Sequence, residues 1–417
     1  MMRFMVGINR ESLEAVEKSN WRGFCKPLYE SFSFSKIPGT LLTLLGVEAE
    51  ALPQSCWSPR RYETVICILI DGFGWNFLEE YHTQYPFLSR FFRKGIVSKI
   101  TSQFPSTTAA HITTLTTGQE VGETAVFEWF YYEPLIDRII APLLYSFAGD
   151  KELGTLQSVI TPDRILPMQT IFQKLKLHGI PSHIFQHESI AHSIYSKTLF
   201  NGGVMSPYHQ WSDCFKTLQQ QLSQKGLFYL YFGDIDSQAH RHGIESPQTI
   251  EAIDHCFTTL EQFISSTHLH NTALLLTADH GMTPIDPKTT LYLNREIPEM
   301  EQLLRVGRDG HVLAPGGSCR DFFVYAKEVD STLTFLQKKL EGKALVCKTE
   351  ELIADRFFGS KPASEKFRQR AGNLVILPHG NHSIWWHEKG RFEQKFYAMH
   401  GGLTREELET IFLFLEG

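Results

Sequence analysis

Three stretches of this chain run apolar without a break and then stop on side chains of the kind that bind metals. They are TVICILI (64–70), LFYLYFG (227–233) and TALLLTA (272–278). A strand with one face in water alternates apolar and polar residues. Unbroken runs of this length, rich in aromatic and β-branched residues, therefore predict strands covered on both faces, as in a parallel sheet between helices. Each run closes on acidic or imidazole groups: Asp71, then Asp234 and Asp236, then Asp279 and His280. Ligands of open α/β sheets bind outside the carboxyl ends of the strands, so these three ends predict one site.

Helical signals fill the intervals. Ser246 and Pro247 read as an N-cap and first helical residue, ahead of Ile250, Ile253, Phe257, Leu260 and Ile264 at helical spacing. TIFQKLKLHG followed by IPSHIFQ, near 170–186, reads as a helix running into a strand. Thr404 to Glu407 form a capping box, and Leu408, Ile411, Phe412 and Leu415 are spaced as the apolar face of a helix behind it. Residues 1–60 read as an N-terminal extension whose apolar stretch is IPGTLLTLLG. Residues 61–417 read as the catalytic domain, with an insertion or subdomain around 284–375, where the patterning is weak.

Composition narrows the class. With 42 % hydrophobic and 21 % charged residues and a formal net charge of −6, the chain is of ordinary globular type. It carries no long basic run, which argues against a nucleic-acid polymer or a membrane surface as partner. The seven cysteines are scattered and form no CxxC pair, so neither a disulfide framework nor a thiolate zinc site is expected. The N-terminal residues carry charges where a signal peptide needs an apolar core, and no 18-residue apolar run exists. The expectation is a cytoplasmic chain without a membrane span.

The chemistry lies in five short segments. Asp71 opens DGFG at the first strand end. In FPSTTAAHITTLTTG (104–118), Thr107 or Thr108 begins a helix that ends at Gly118. A hydroxyl there stands beside unpaired N–H groups and the positive end of the helix dipole, which together cradle a phosphate. In DIDSQAHRHG, Asp236 and His240 are four apart and can face one metal. ADHG places Asp279 beside His280, and MHGG holds His400 on a tight turn before a capped helix. Carboxylates with imidazoles suit zinc or manganese better than calcium or magnesium.

In this order the segments resemble the alkaline phosphatase superfamily, and within it the type I phosphodiesterase/nucleotide pyrophosphatase family, from about residue 64 to 417. The resemblance implies an α/β three-layer sandwich around a mostly parallel central sheet, with a smaller inserted subdomain. It implies two divalent metal ions, Zn²⁺ or Mn²⁺, one on Asp236, His240 and His400 and the other on Asp71, Asp279 and His280. The family's nucleophile lies three residues after the proline and ten before the glycine of the second segment, which selects Thr108. His111 stands where the family usually has an asparagine that helps hold the phosphoryl oxygens, and is expected at the substrate. Ala239 replaces a customary glycine. The implied reaction is hydrolysis of a small-molecule phosphate ester, in particular a nucleotide, through a phospho-threonine intermediate.

Rival readings are weaker. CWSPR (56–60) has the wrong spacing for a sulfatase nucleophile motif, and the stretch from Gly118 to Asp236 is too short for the second domain of a cofactor-independent phosphoglycerate mutase. A phosphomonoesterase on the same scaffold, or an inactive metal-binding scaffold protein, stays open as an alternative. No arginine lies between Lys99 and Arg138 to help hold a dianion, which favours a diester. Phe73, Trp75 and the run Phe127, Trp129, Phe130, Tyr131 and Tyr132 can cover a substrate group, although core packing is the commoner fate of such residues. Arg320, in GGSCRD (316–321), is expected in a loop salt bridge rather than at the substrate phosphate.

Overall fold

The three apolar runs form neighbouring strands of one sheet. The computed structural model describes residues 7–417; residues 1–6, the first part of the predicted N-terminal extension, lie outside them. The sheet is built from β1 (Thr64–Ile70), β2 (Ile96–Thr101), β3 (Ser182–His187), β4 (Val204–Tyr208), β5 (Gly226–Phe232), β6 (Thr272–Thr277) and β7 (Glu409–Glu416). Their spatial order is β2-β7-β6-β1-β5-β3-β4. β1 pairs in parallel with β5 and β6, β3 with β5 and β4, and only β7 runs antiparallel to its neighbours.

Alternation along β1 shows why its sequence has no polar side. Val65, Cys67 and Leu69 enter one apolar core, while Ile66, Ile68 and Ile70 enter the other. The first core packs the helix Thr108–Thr117 (α1) and the N-terminal helix Ile37–Leu44 against the sheet. The second packs Trp75–Tyr81, Pro86–Lys94 and Pro247–Ser266 against the opposite face. Helix, sheet and helix make three layers, the fold expected from the strands. A smaller antiparallel sheet of Phe322–Val324, Leu374–Pro378 and Ala344–Lys348 has its own apolar cluster with Trp385 and Trp386.

One element differs from its expectation. The capping box at Thr404 starts a helix of only four residues, Arg405–Leu408, and the chain then becomes β7. The segment ETIFLFLE is apolar on both sides, so it satisfies two flanking layers at once as an interior strand between β2 and β6. The helical spacing of Leu408, Ile411, Phe412 and Leu415 was one subset of that continuous run. Tertiary demand for a buried strand overrides it.

Candidate active site

Register delivers the ligand-type residues to one place. β1 and β5 pair with Ile70 opposite Phe232, and β1 and β6 with Leu69 opposite Thr277. Asp71, the helix Asp234–His242 (α2) and the Asp279–His280 pair therefore leave the sheet side by side. Gly72 makes the approach close. Its φ is 71°, and a Cβ there would lie 3.2 Å from the Asp236 Cβ, so a side chain would meet both backbone strain and a wall.

The helix α1 brings the hydroxyl. Thr107 is its N-cap: its Oγ1 accepts the Ala110 N–H and donates to the Phe127 carbonyl. Gly118 closes the helix with φ 72°. Thr108, one residue on, is not spent on capping. Its Oγ1 lies 3.5 Å from both carboxylate oxygens of Asp71 and 3.3 Å from His280 Nε2.

Three imidazoles are presented in the same manner. Nδ1 of His240, His280 and His400 is paired with the carbonyls of Ala398, Gly281 and Ser106, at 2.7, 3.1 and 2.9 Å. A backbone carbonyl on Nδ1 fixes the tautomer with the proton there and leaves the Nε2 lone pair free for a metal. His240 Nε2 lies 3.2 Å and His400 Nε2 3.8 Å from Asp236 Oδ1, while His280 Nε2 lies 3.4 Å from Asp71 Oδ1 and 3.3 Å from Asp279 Oδ2. Two groups bring their ligand atoms within 4.8 Å of one another: Asp71, Asp279 and His280, and Asp236, His280 and His400. His240 belongs beside the second through its contact with Asp236. His280 therefore stands between the two sets, a sharing that sequence spacing does not reveal.

The electrostatics are those of an incomplete site. Burial raises the Asp71 carboxyl well above the ordinary carboxylate range, and the Asp279 and Asp236 charges raise it further. Burial likewise raises Asp279. Burial also opposes charge on Asp236, but His240 and His400 outweigh it and its pKa is lowered. His280 and His400 are held far below the ordinary histidine value, first by burial and then by neighbouring histidines. Asp236 Oδ1 and Asp279 Oδ2 are buried without a hydrogen bond, although imidazole nitrogens stand close to both. Buried carboxylate oxygens aimed at a common space without donors are what divalent cations satisfy, and this donor set fits them.

A cavity of about 500 Å³ opens from Thr108 and His400, with Trp129, Phe130, Trp385 and Phe396 on its walls. The aromatic run after α1 therefore divides. Phe127, Tyr131 and Tyr132 are core residues, as are Phe73 and Trp75, whereas Trp129 and Phe130 face the cavity.

The expected substrate contact of His111 is corrected. Its ring is completely buried, with Nε2 accepting the Gln103 N–H at 2.8 Å and Nδ1 paired with the Thr107 carbonyl at 2.7 Å. Both nitrogens are engaged in joining α1 to the segment before it, and burial lowers the pKa to about 4, so the ring is neutral. A larger side chain at the asparagine position has turned inward to satisfy backbone groups. Arg320 pairs with Glu407, at 2.9 and 3.0 Å, and both are buried.

Sequence reading missed two features. Tyr231, on β5, donates a short hydrogen bond to Asp71 Oδ2. Glu128, on the cavity wall, and Asp321 behind it are a buried carboxyl pair; burial raises both, and the Glu128 charge raises Asp321 further. The first had a signal, a tyrosine in the final turn of a predicted site strand. The second joins positions far apart in the chain and had none.

Known proteins resemble this chain in sequence and in fold. The family model for type I phosphodiesterase/nucleotide pyrophosphatase matches residues 65–403. Human ectonucleotide pyrophosphatase/phosphodiesterase family member 7 is 25 % identical over 319 residues, covering 72 % of this chain and 66 % of that protein. Its mouse counterpart is 25 % identical over 241 residues, covering 55 % and 52 %. The matches thus span less than two thirds of these relatives. Among solved structures, inactive murine ectonucleotide pyrophosphatase/phosphodiesterase 5 in complex with AMP superposes with a TM-score of 0.63 at 17 % identity, covering 84 % of this chain and 87 % of that one. Phosphonoacetate hydrolase from Sinorhizobium meliloti 1021 in complex with phosphonoformate gives 0.59 at 19 %, covering 86 % and 92 %.

Proposed function

The chain belongs to the type I phosphodiesterase/nucleotide pyrophosphatase family, and from that premise we propose that it hydrolyses phosphodiesters or nucleotide-type pyrophosphates with Thr108 as nucleophile and two divalent cations, zinc or manganese. The observation that carries this reading is the separation of roles between adjacent threonines. Thr107 is consumed as a cap, while the Thr108 hydroxyl faces Asp71 and His280 at the start of a ten-residue helix.

Asp71, Asp279 and His280 would hold one ion, and Asp236, His240 and His400 the other. Bound there, the ions supply Lewis acidity and offset the charge of three buried carboxylates. The first turn of α1 orients the phosphoryl group through its N–H groups and dipole. Thr108 Oγ1 loses its proton to solvent and attacks phosphorus, and the bond to the departing oxygen breaks as that oxygen takes up a proton from water. Water then cleaves the phospho-threonine and restores the hydroxyl.

Charge favours the diester. Among the described residues, no lysine or arginine pairs with the ligand carboxylates or with Thr108; Arg241 and Arg391 stand on the cavity wall without bonding either, and His111 is neutral and turned away. A monoester dianion gains more from such a cation than a diester does. The test compares kcat/KM for nitrophenyl phosphate, bis-nitrophenyl phosphate and nitrophenyl thymidine monophosphate at neutral and alkaline pH. The diesters are expected to be preferred; a monoester preference at every pH overturns that assignment.

A further inference from the structure

Asp71 receives a hydrogen bond from a residue that is neither a ligand nor the nucleophile. The Tyr231 hydroxyl donates to Asp71 Oδ2, and the contact is short. Tyr231 is the penultimate residue of β5 and the register partner of Leu69, next to Phe232 opposite Ile70, which brings its hydroxyl to the residue that follows β1. Its backbone is held too, because the Tyr208 hydroxyl donates to the Tyr231 carbonyl at 2.6 Å. On the other side, a Cβ at Gly233 would lie 3.2 to 3.5 Å from the ring and hydroxyl, so the glycine leaves the ring its room.

We propose that Tyr231 is a positioning residue that occupies Asp71 Oδ2 and so turns Oδ1, as a single ligand oxygen, toward the cation shared with Asp279 and His280. This rests on the two-cation reading of the site. A carboxylate free to rotate can present either oxygen or both, and hydrogen-bonded partners of ligands normally remove that freedom. Here Oδ1 is the oxygen 3.4 Å from His280 Nε2, on the side of the ligand set. The role is distinct from substrate contact, since the hydroxyl acts on the reaction only through Asp71.

Tyr231→Phe removes the oxygen and keeps the ring. The first readout is Zn²⁺ affinity, measured by competition with a chromogenic chelator on metal-free protein. One of two ions is expected to weaken by about ten- to a hundred-fold, the other remaining unchanged. The second readout is the split of kinetic constants on bis-nitrophenyl phosphate: kcat falls and KM stays within about two-fold, because substrate is not touched. Tyr231→Ala should show the same metal defect with an added loss of thermal stability, which separates the hydroxyl from the ring. A Tyr231→Phe protein with wild-type affinity for both ions overturns the proposal even if the enzyme is an active diesterase. A wild-type chain that binds two ions but cleaves no phosphate ester overturns the activity while the metal titration still decides Tyr231. A wild-type chain that binds no divalent ion overturns both.

Discussion

His280 and His400 lie face to face, ring centroids 3.7 Å apart and planes 15° apart, in the group they form with Asp236. Two imidazolium ions would repel strongly at this separation in a buried site, so at most one ring carries charge, and burial opposes charge on both. The expected outcome is about two transition-metal ions per chain in protein purified without chelators. Removing them should lower the melting temperature, because three buried carboxylates then lose their counter-charge. Elemental analysis and thermal unfolding with and without a chelator check both statements; metal-free protein with full activity would refute the mechanism.

Thr108→Ala is expected to abolish turnover while leaving fold and metal content intact. Thr107→Ala should retain chemistry but lose about 1 kcal/mol of stability, since Thr107 is the cap of α1. Burst kinetics and denaturant melts on the two variants separate these roles. The reverse pattern relocates the nucleophile by one residue.

His111 makes the fold acid-sensitive. Its pKa is about 4 in the folded chain against an ordinary 6.5, so the unfolded state binds more protons between those values. Its stabilising contribution is complete above 6.5 and is lost as pH falls toward 4, by roughly 3 kcal/mol in all. Urea melts across that range should show a smaller pH dependence in His111→Asn than in wild type. Equal slopes count against the assignment.

Glu128 acts in the opposite sense. Burial raises its pKa above the ordinary 4.5, so its contribution to stability is full below that value and is lost as pH rises through the folded-state value. Glu128→Gln, which cannot ionise, is expected to gain stability relative to wild type as pH increases. Calorimetry at acidic and mildly alkaline pH gives the answer; a difference independent of pH is the contrary result.

Arg320 and Glu407 hold the turn that carries His400. Besides pairing with Arg320, Glu407 accepts the N–H of Gly402 at 3.0 Å and the Thr404 hydroxyl at 2.7 Å. Arg320→Ala leaves this carboxylate buried and unpaired, which should cost about 3–5 kcal/mol. Arg320→Lys should recover little, because one ammonium cannot replace a bidentate fork. Recovery to wild-type stability by lysine is the outcome that argues against this account.

How legible the protein was depended on whether a feature was local. β1, β5 and β6 announced themselves because burial on both faces removes polar residues from the sequence, and the ligand-type side chains follow directly on those runs. The limits of α1 were readable for the same reason, from a threonine cap and a terminal glycine. β7 was not, because the unbroken apolar run IFLFL behind a capping box satisfies helical and strand patterns together. The inward turn of His111, the bond from Tyr231 to Asp71 and the meeting of Glu128 with Asp321 are set by packing between distant segments. Identity and spacing of residues do not specify them.

The interior position of β7 has a consequence for synthesis. In the finished sheet β7 is the strand bonded to β2 and separates it from β6, while residues 7–9 and Phe32 bond to its other edge at Val97 and Thr101. While the chain emerges from a ribosome, β2 is exposed early but has no partner strand until residues 409–416 appear. At about 5–20 residues per second that interval lasts tens of seconds, during which an apolar strand edge is open to wrong pairing. Closure of the sheet thus waits for residues 409–416, and until they arrive the open edge is the kind of surface that holding chaperones shield.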